Sequence, residues 1–185
     1  MNRQPFENPE ASPDSYRVLV AVSSERDLRA LLATAYAIAT SHHGEIRLLT
    51  VTHREHAPSW LVMPDTYAGV KITSVTRTGR NIGATILAET RDYQPDVLIL
   101  GWSGGLSRGR YLLGRTLDPV VQAAPCEVII QQGETSRDLQ RILVPAAGGP
   151  NAPRALTLAR VLAPNAEVAA LYVANEKLGR AEVLM

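Results

Sequence analysis

The sequence predicts an α/β fold in which a five-stranded parallel sheet carries helices on both faces. Two observations lead to this class. Five short apolar runs lie between residues 17 and 131, and most of them are separated by segments with helical spacing of apolar residues. Strands that alternate with helices of roughly ten to fifteen residues form right-handed β-α-β units. Such units produce a parallel sheet whose two faces are both covered.

The first β-α-β unit is predicted from residues 17 to 51. Residues 17–22 (RVLVAV) form a short β-branched run that is typical of a buried strand. A helix is expected over residues 24–40, which begin with a Ser-x-x-Asp sequence of capping-box type and continue with leucines at helical spacing. Gly44 is expected to end this helix. Residues 45–51 (EIRLLTV) are then the second strand.

The remaining elements of this domain are assigned with the same criteria. Residues 52–68 contain Pro58 and Pro64 without a clear period, so we expect mostly loop there. The other predicted elements are a strand at 70–75, a helix at 81–93, a strand at 97–100, a helix at 116–124 and a strand at 128–130.

The end of the chain repeats its beginning. Residues 141–146 (RILVPA) match residues 17–22, and residues 166–173 match residues 44–51, at an offset of roughly 123 residues. We therefore predict four segments: a polar lead-in or linker (1–16), a complete domain (17–132), a linker (133–139) and the β-α-β opening part of a second copy (140–185). Such an opening part has an open sheet edge and a small core, so it is expected to pack on another unit.

Composition excludes several function classes. A formal net charge of +1 excludes the strong basic field of a general nucleic-acid binder. No apolar stretch is long enough to span a membrane, and residues 1–16 lack the apolar core of a secretory signal. The single cysteine, Cys126, precedes a buried-looking strand and is interpreted as a core residue. These observations favour a cytoplasmic protein.

A glycine-rich loop joins the strand at 97–100 to the helix at 116–124. Its glycines are spaced as Gly101-x-x-Gly104, nine residues, and then Gly114. A strand, a flexible loop and a helix start suit anion binding, because glycine lets the backbone approach a ligand. This spacing, with RVLVAV and APCEVII, resembles the universal stress protein family over residues 17–131. The resemblance implies a fold like that of the adenine nucleotide alpha hydrolases, an ATP site and homodimers formed through residues 127–131.

The resemblance also implies which residues contact the nucleotide. They are Ala21, Val22, Ser23, Val51, Gly101, Gly104, Gly114, Arg115 and Thr116. Two positions depart from the family pattern. Ser23 stands where binding members have an aspartate, so that carboxylate is missing. Arg115 replaces the hydroxyl residue after the last glycine, and its guanidinium either binds phosphate or fills the phosphate position. Thr116 is expected to cap the helix that follows.

Two function hypotheses from different classes remain open. The first is a non-enzymatic regulatory module that binds an adenine nucleotide and signals through domain docking or dimerisation. The second is a nucleotide-free interaction domain on the cytoplasmic side of a membrane transporter. The second is suggested by a narrower likeness of residues 113–121 and 142–151 to tandem domains attached to amino-acid permeases and chloride channels.

Other chemistry-bearing residues receive simpler interpretations. Arg108 and Arg110, with Arg115, are candidates for a phosphate clamp or for an ordinary exposed loop. The pattern His53, Glu55, His56 has no further metal ligand at a suitable spacing, so no metal site is predicted. The chain lacks the Gly-Lys-Ser/Thr of a phosphate-loop ATPase and any nucleophile–base constellation, and therefore no catalytic residue is assigned.

Overall fold

A six-stranded sheet forms the centre of the molecule. The computed structural model describes residues 15–53, 58–61, 66–104, 112–133, 139–146, 149 and 151–172. The strands of this sheet are β1 (Arg17–Ala21), β2 (Glu45–Thr52), β3 (Thr66–Tyr67), β4 (Val70–Thr78), β5 (Val97–Gly101) and β6 (Glu127–Gln131). Their order is β3-β4-β2-β1-β5-β6. All neighbours are parallel except β3 and β4. The predicted five-stranded parallel sheet is thus confirmed, with a short antiparallel strand added at one edge.

Three helices cover the two faces of this sheet. They are α1 (Glu25–Ser41), α2 (Ile82–Tyr93) and α3 (Leu117–Ala123). Because side chains alternate along a strand, Val18 and Val20 of β1 pack in the core beneath α1, whereas Leu19 packs in the core beneath α2 and α3. Each of these three side chains is fully buried. The helices therefore lie on both faces, as the sequence predicts.

The end of α1 differs from the expectation for Gly44. The left-handed residue is His43, with a φ of 52°. The N–H of Gly44 donates to the Ala39 carbonyl at 2.8 Å, and the N–H of His43 donates to the Thr40 carbonyl at 3.4 Å, which is a Schellman arrangement. Gly44 is needed for a different reason: a Cβ there would collide with the backbone carbonyl of Tyr16.

The edge hairpin lies in a region that the sequence predicts to be mostly loop. Ala68 and Gly69 both have positive φ, 46° and 86°, which is the geometry of a type I′ hairpin turn. This turn pairs Thr66 with Lys71 and thereby forms β3. The strand β4 also continues to Thr78, three residues beyond the predicted end, because its polar second half pairs with β2.

A buried charge network ties α2 to the sheet. Glu89 is 2% exposed, and its carboxylate forms ion pairs with Arg47 Nη1 at 3.3 Å and with Arg77 Nε at 2.6 Å. The Arg47 guanidinium also lies 3.8 Å from the ring centre of Tyr93. The Tyr93 hydroxyl donates to Glu45 Oε1 at 2.9 Å. Paired, hydrogen-bonded ions of this kind are tolerated in a core, whereas removing one partner leaves an uncompensated charge.

A second β-α-β unit follows the main sheet. It consists of β7 (Arg141–Ala146), α4 (Asn151–Leu162) and β8 (Glu167–Tyr172), and β7 and β8 form a separate parallel pair. We call residues 141–172 the second unit and β1-α1-β2 the first unit. Leu158 and Val161 of α4 pack against the core beneath α1, so the second unit is docked on the main domain. That it is the opening of a second copy of the domain remains a prediction.

Candidate functional site

A cleft opens at the carboxyl ends of β1, β2 and β5. From β1 the chain turns to α1 on one face of the sheet, and the connection after β5 leads to α3 on the other face. Because β1 and β5 are neighbours, their connections diverge and leave a crevice between them. The cleft has a volume of about 530 Å³, which lies within the range of small-molecule sites.

Eight of the nine residues that the resemblance assigns to a nucleotide line this cleft. They are Ala21, Val22, Ser23, Val51, Gly101, Gly114, Arg115 and Thr116. The ninth, Gly104, does not line it. Gly104 has a φ of 79°, and a Cβ at this position would collide with the side-chain amide of Gln132. The glycine therefore allows the loop to approach the segment that follows β6.

The floor of the cleft is apolar and one of its edges is polar backbone. Leu49, Leu100 and Ile86 are buried residues that line it. The Leu49 carbonyl accepts the N–H of Val22 at 2.9 Å and so points toward β1. Val51, two residues later in β2, directs its own N–H and carbonyl toward the same side, where the chain has already turned into α1. The backbone edge at Val51 therefore faces the cleft and pairs with no described strand.

A carboxylate lies beside Ser23 after all. The Ser23 hydroxyl donates to Asp27 Oδ2 at 3.1 Å, and the Ser24 hydroxyl donates to the same oxygen at 2.7 Å. Asp27 lines the cleft as well as a smaller pocket beside it. Sequence reasoning considered only the residue directly after β1 and interpreted Asp27 as part of a helix cap. The signal was the Ser-x-x-Asp spacing, because one helical turn returns the fourth residue to the strand end.

The opposite wall consists of Gly114, Arg115 and Thr116. Gly114 has a φ of 113°, which favours glycine. The Arg115 side chain is exposed, and its guanidinium forms no ion pair with any residue that the structure describes. The prediction that Thr116 caps α3 is wrong. Its backbone is already helical (φ −90°, ψ −47°), so the hydroxyl is not directed at the helix amides, and no side-chain cap bond forms.

Some amides of the glycine-rich loop are already used within the protein. The Trp102 N–H donates to the Gln131 carbonyl at 2.8 Å, and the Leu113 N–H donates to Asp118 Oδ1 at 3.1 Å. Within the described part of the loop, the amides of Ser103, Gly104, Gly114 and Arg115 donate no hydrogen bond. Arg108 and Arg110 of the predicted clamp lie outside the described residues.

The remaining candidates do not form a second polar centre. His53 is exposed at the end of β2 and lines the cleft, whereas Glu55 and His56 lie outside the described residues. Among the described residues, no group of three or more metal-ligating side chains is found. Burial raises the pKa of the Cys126 thiol, although a hydrogen bond with the Leu98 backbone opposes this shift, and a raised pKa is expected of a packing residue. No described helix is long and apolar enough to cross a membrane.

Comparison with protein families finds a similarity for the part of the chain that supplies one wall of this cleft. The family model described as the universal stress protein family matches residues 61–131, which include α2, the glycine-rich loop and β6. Over these residues the chain is similar to the universal stress protein family. No curated protein matches the chain by sequence.

Solved universal stress proteins share the fold of this part of the chain. A universal stress protein from Archaeoglobus fulgidus DSM 4304 aligns with a TM-score of 0.52 at 22% identity, over 63% of this chain and 43% of its own. UspA from Lactobacillus plantarum aligns with a TM-score of 0.48 at 22% identity, over 64% of this chain and 99% of its own. A universal stress protein in complex with cAMP aligns with a TM-score of 0.48 at 18% identity, over 62% of this chain and 94% of its own. The first of these likenesses supports the fold alone.

Proposed function

We propose that this universal stress protein domain is a regulatory module that binds an adenine nucleotide, with ATP as the expected ligand. The observation that carries the proposal is the composition of the cleft. An apolar floor lies between a carboxylate, Asp27, on one wall and a cation, Arg115, on the other, and Arg115 forms no ion pair with a described residue. A nucleotide has a flat base, a sugar with hydroxyl donors and an anionic phosphate chain, and each meets a matching group in this order.

Each part of the ligand is assigned to particular residues. The base lies on Leu49 and Leu100, with its polar edge at the Val51 backbone. Asp27 accepts hydrogen bonds from the sugar hydroxyls, because Ser23 and Ser24 occupy Oδ2 and no described residue donates to Oδ1. The phosphates receive Arg115, since a guanidinium binds phosphate through two parallel hydrogen bonds.

The signal is proposed to be a change in docking rather than a catalysed reaction. The loop that holds the phosphates contacts the end of β6 and the segment that follows it: Trp102 is hydrogen-bonded to Gln131, and Gly104 lies against the side chain of Gln132. Gly133 follows directly and begins the connection to β7. Binding of a nucleotide to this loop therefore shifts how the second unit docks. The shift is no larger than the difference in nucleotide affinity between the alternative docked arrangements.

Isothermal titration of the full chain with ATP and with adenosine tests the assignment. Arg115→Gln is expected to weaken ATP about tenfold, or about 1.4 kcal/mol, and to leave adenosine unchanged. Asp27→Asn is expected to weaken both ligands alike, because both carry the sugar. Arg91→Gln, an exposed arginine of α2 outside the cleft, is the matched control. The absence of heat at millimolar ATP, or equal effects of Arg115→Gln on both ligands, would contradict the proposal.

A second candidate function is favoured by the edge of the sheet. β6 has β5 as its neighbour on one side, and its other side pairs with no strand of the described chain. A nucleotide-free domain that dimerises through Glu127–Gln131 at the cytoplasmic face of a transporter, such as a permease or chloride channel, would use this edge. Absent ATP heat together with a concentration-dependent dimer would favour this function over the first.

A further inference from the structure

Among the described residues, no element covers one face of the strand pair in the second unit. Val144 of β7 points toward α4 and is 5% exposed, whereas Leu143 and Leu171, on the opposite face, are 61% and 44% exposed. The register places Leu143 beside Ala169 and Pro145 beside Leu171, so the four residues share that face. We call these four residues the open face. A contiguous apolar surface of this kind indicates an interaction site.

The first unit shows what covers the equivalent face. Its register begins with Arg17 opposite Glu45, and that of the second unit begins with Arg141 opposite Glu167. With the two registers superposed, Leu143 corresponds to Leu19, and Leu171 corresponds to Leu49. Leu19 and Leu49 are both fully buried, in a core that α2 supplies with Ile86 and Leu87. The cover is thus the apolar face of one amphipathic helix, with Val120 of α3 beside it.

The charged pair at the start of each register adds a second requirement. In the first unit, Arg17 Nη1 donates to the carbonyl of Tyr93, the last residue of α2, at 3.1 Å. Glu45 accepts the Tyr93 hydroxyl at 2.9 Å. Both side chains therefore bind the C-terminal end of the covering helix, where a cation is favourable.

In the second unit no helix end in the described part of the chain binds the corresponding two charges. Arg141 and Glu167 pair with each other at 3.3 Å, while their side chains remain 85% and 72% exposed. An exposed pair of this kind contributes little to stability, so both groups are available to another partner.

We propose that the open face binds an amphipathic helix of a polypeptide partner that resembles α2. Its Ile/Leu face covers Leu143 and Leu171, and its C-terminal carbonyls and a tyrosine hydroxyl meet Arg141 and Glu167. One difference from α2 follows from the strand. Ala169 stands where the first unit has Arg47, which pairs with Glu89 of α2. The partner helix therefore carries an apolar residue, and not a carboxylate, at the position of Glu89.

A helix-stabilised peptide with the sequence of residues 81–94 provides the probe, because an unconstrained helix of this length is marginal in water. It is titrated into the full chain while the methyl NMR signals of Leu143 and Leu171 are followed. The Glu89→Leu peptide is expected to shift both signals and to bind roughly tenfold more tightly than the unchanged peptide, whose carboxylate faces Ala169. The control peptide, with Ile86→Asp and Leu87→Asp, is expected not to bind.

A variant of the protein separates this site from general adhesion. Leu143→Asp with Leu171→Asp changes only exposed side chains, so the chain is expected to keep its circular dichroism spectrum and to lose the peptide. Equal binding of the control peptide, equal binding by the Asp variant, or a preference for the carboxylate peptide would overturn the proposal. Self-association of the full chain that shifts the same methyl signals without peptide would also overturn it, because the occupant would then be a second copy.

Discussion

The first and second β-α-β units contain the same pattern of residues in different surroundings. Each begins with an arginine on one strand opposite a glutamate on the other, and each packs a helix on one face of a parallel pair. In the first unit both faces are buried, because β4 and β5 extend the sheet and α2 covers its second face. In the second unit the face beneath α4 is only partly buried: Val144 of β7 and Ala159 of α4 are 5% and 4% exposed, whereas Ala170 and Tyr172 of β8 are exposed.

This difference shows which properties are local and which come from neighbours. Parallel pairing, the register and the helix on one face occur in both units and follow from the local sequence. Burial of the alternate leucines, and pairing of the terminal charges with a helix end, occur only where another element is present. The two units therefore provide an internal control, because corresponding side chains can be compared with and without a covering helix.

The largest expected difference is between Leu19→Ala and Leu143→Ala. Leu19 is fully buried, so its truncation leaves a cavity and is expected to lower the free energy of unfolding by about 2–5 kcal/mol. Leu143 is 61% exposed, and the same change is expected to cost no more than about 0.5 kcal/mol. Urea unfolding followed by circular dichroism measures both. A comparable loss in both variants would mean that the open face is covered in solution.

A smaller difference is expected between Glu45→Ala and Glu167→Ala. Removal of Glu45 leaves the buried Tyr93 hydroxyl without its acceptor and Lys71 without its partner at 3.3 Å, at a cost of about 1–3 kcal/mol. Glu167 takes part only in an exposed pair, and its removal is expected to cost less than about 0.5 kcal/mol. Urea midpoints of the two variants measure the difference, and equal midpoints would contradict it.

The pH dependence sharpens the same comparison. Burial, and then the neighbouring Glu45 carboxylate, raise the pKa of Tyr93 above its usual value of 10.0. A proton bound more tightly in the folded state stabilises that state fully below the unfolded-state pKa. The contribution is then lost as pH rises from about 10 toward the folded-state pKa. The stability of the wild-type protein should therefore decline in this alkaline range more steeply than that of Tyr93→Phe.

Much of the fold could be predicted because the buried strands are continuous apolar runs. Such runs mark β1 and β5, and β2 carries a shorter one at Leu48 and Leu49. The second half of β4 is polar, and it is a strand because its backbone pairs with β2. The short strand β3 forms because the turn at Ala68 and Gly69, both with positive φ, brings it back beside β4. Both depend on the fold around them rather than on local pattern, so periodicity does not reveal them.

The site was predictable in its location but not in its details. The glycine spacing and the strand ends indicated where the chain would open, and the structure brings Ser23, Val51 and Arg115 to one cleft. Asp27 was missed because its position depends on a helical turn that returns it to the strand end. The hydroxyl of Thr116 was wrongly assigned as a cap, since capping depends on a backbone angle that the residue type does not determine.

The smallest expected effect concerns the contact between the second unit and the main sheet. Arg154 Nη1 of α4 lies 3.0 Å from Glu127 Oε1 of β6, but the two side chains are 65% and 50% exposed. Their coupling energy in a double-mutant cycle is therefore expected to be about 0.5 kcal/mol or less, and to fall with added salt. Leu158→Ala, which trims the apolar contact of α4 with the core beneath α1, is expected to cost more than the whole ion pair. Hydrogen exchange of the α4 amides reports whether the second unit remains docked. If loss of the ion pair released α4 while Leu158→Ala did not, this prediction would be contradicted. The second unit would then be held by charge and not by apolar packing, and its docking would weaken with added salt.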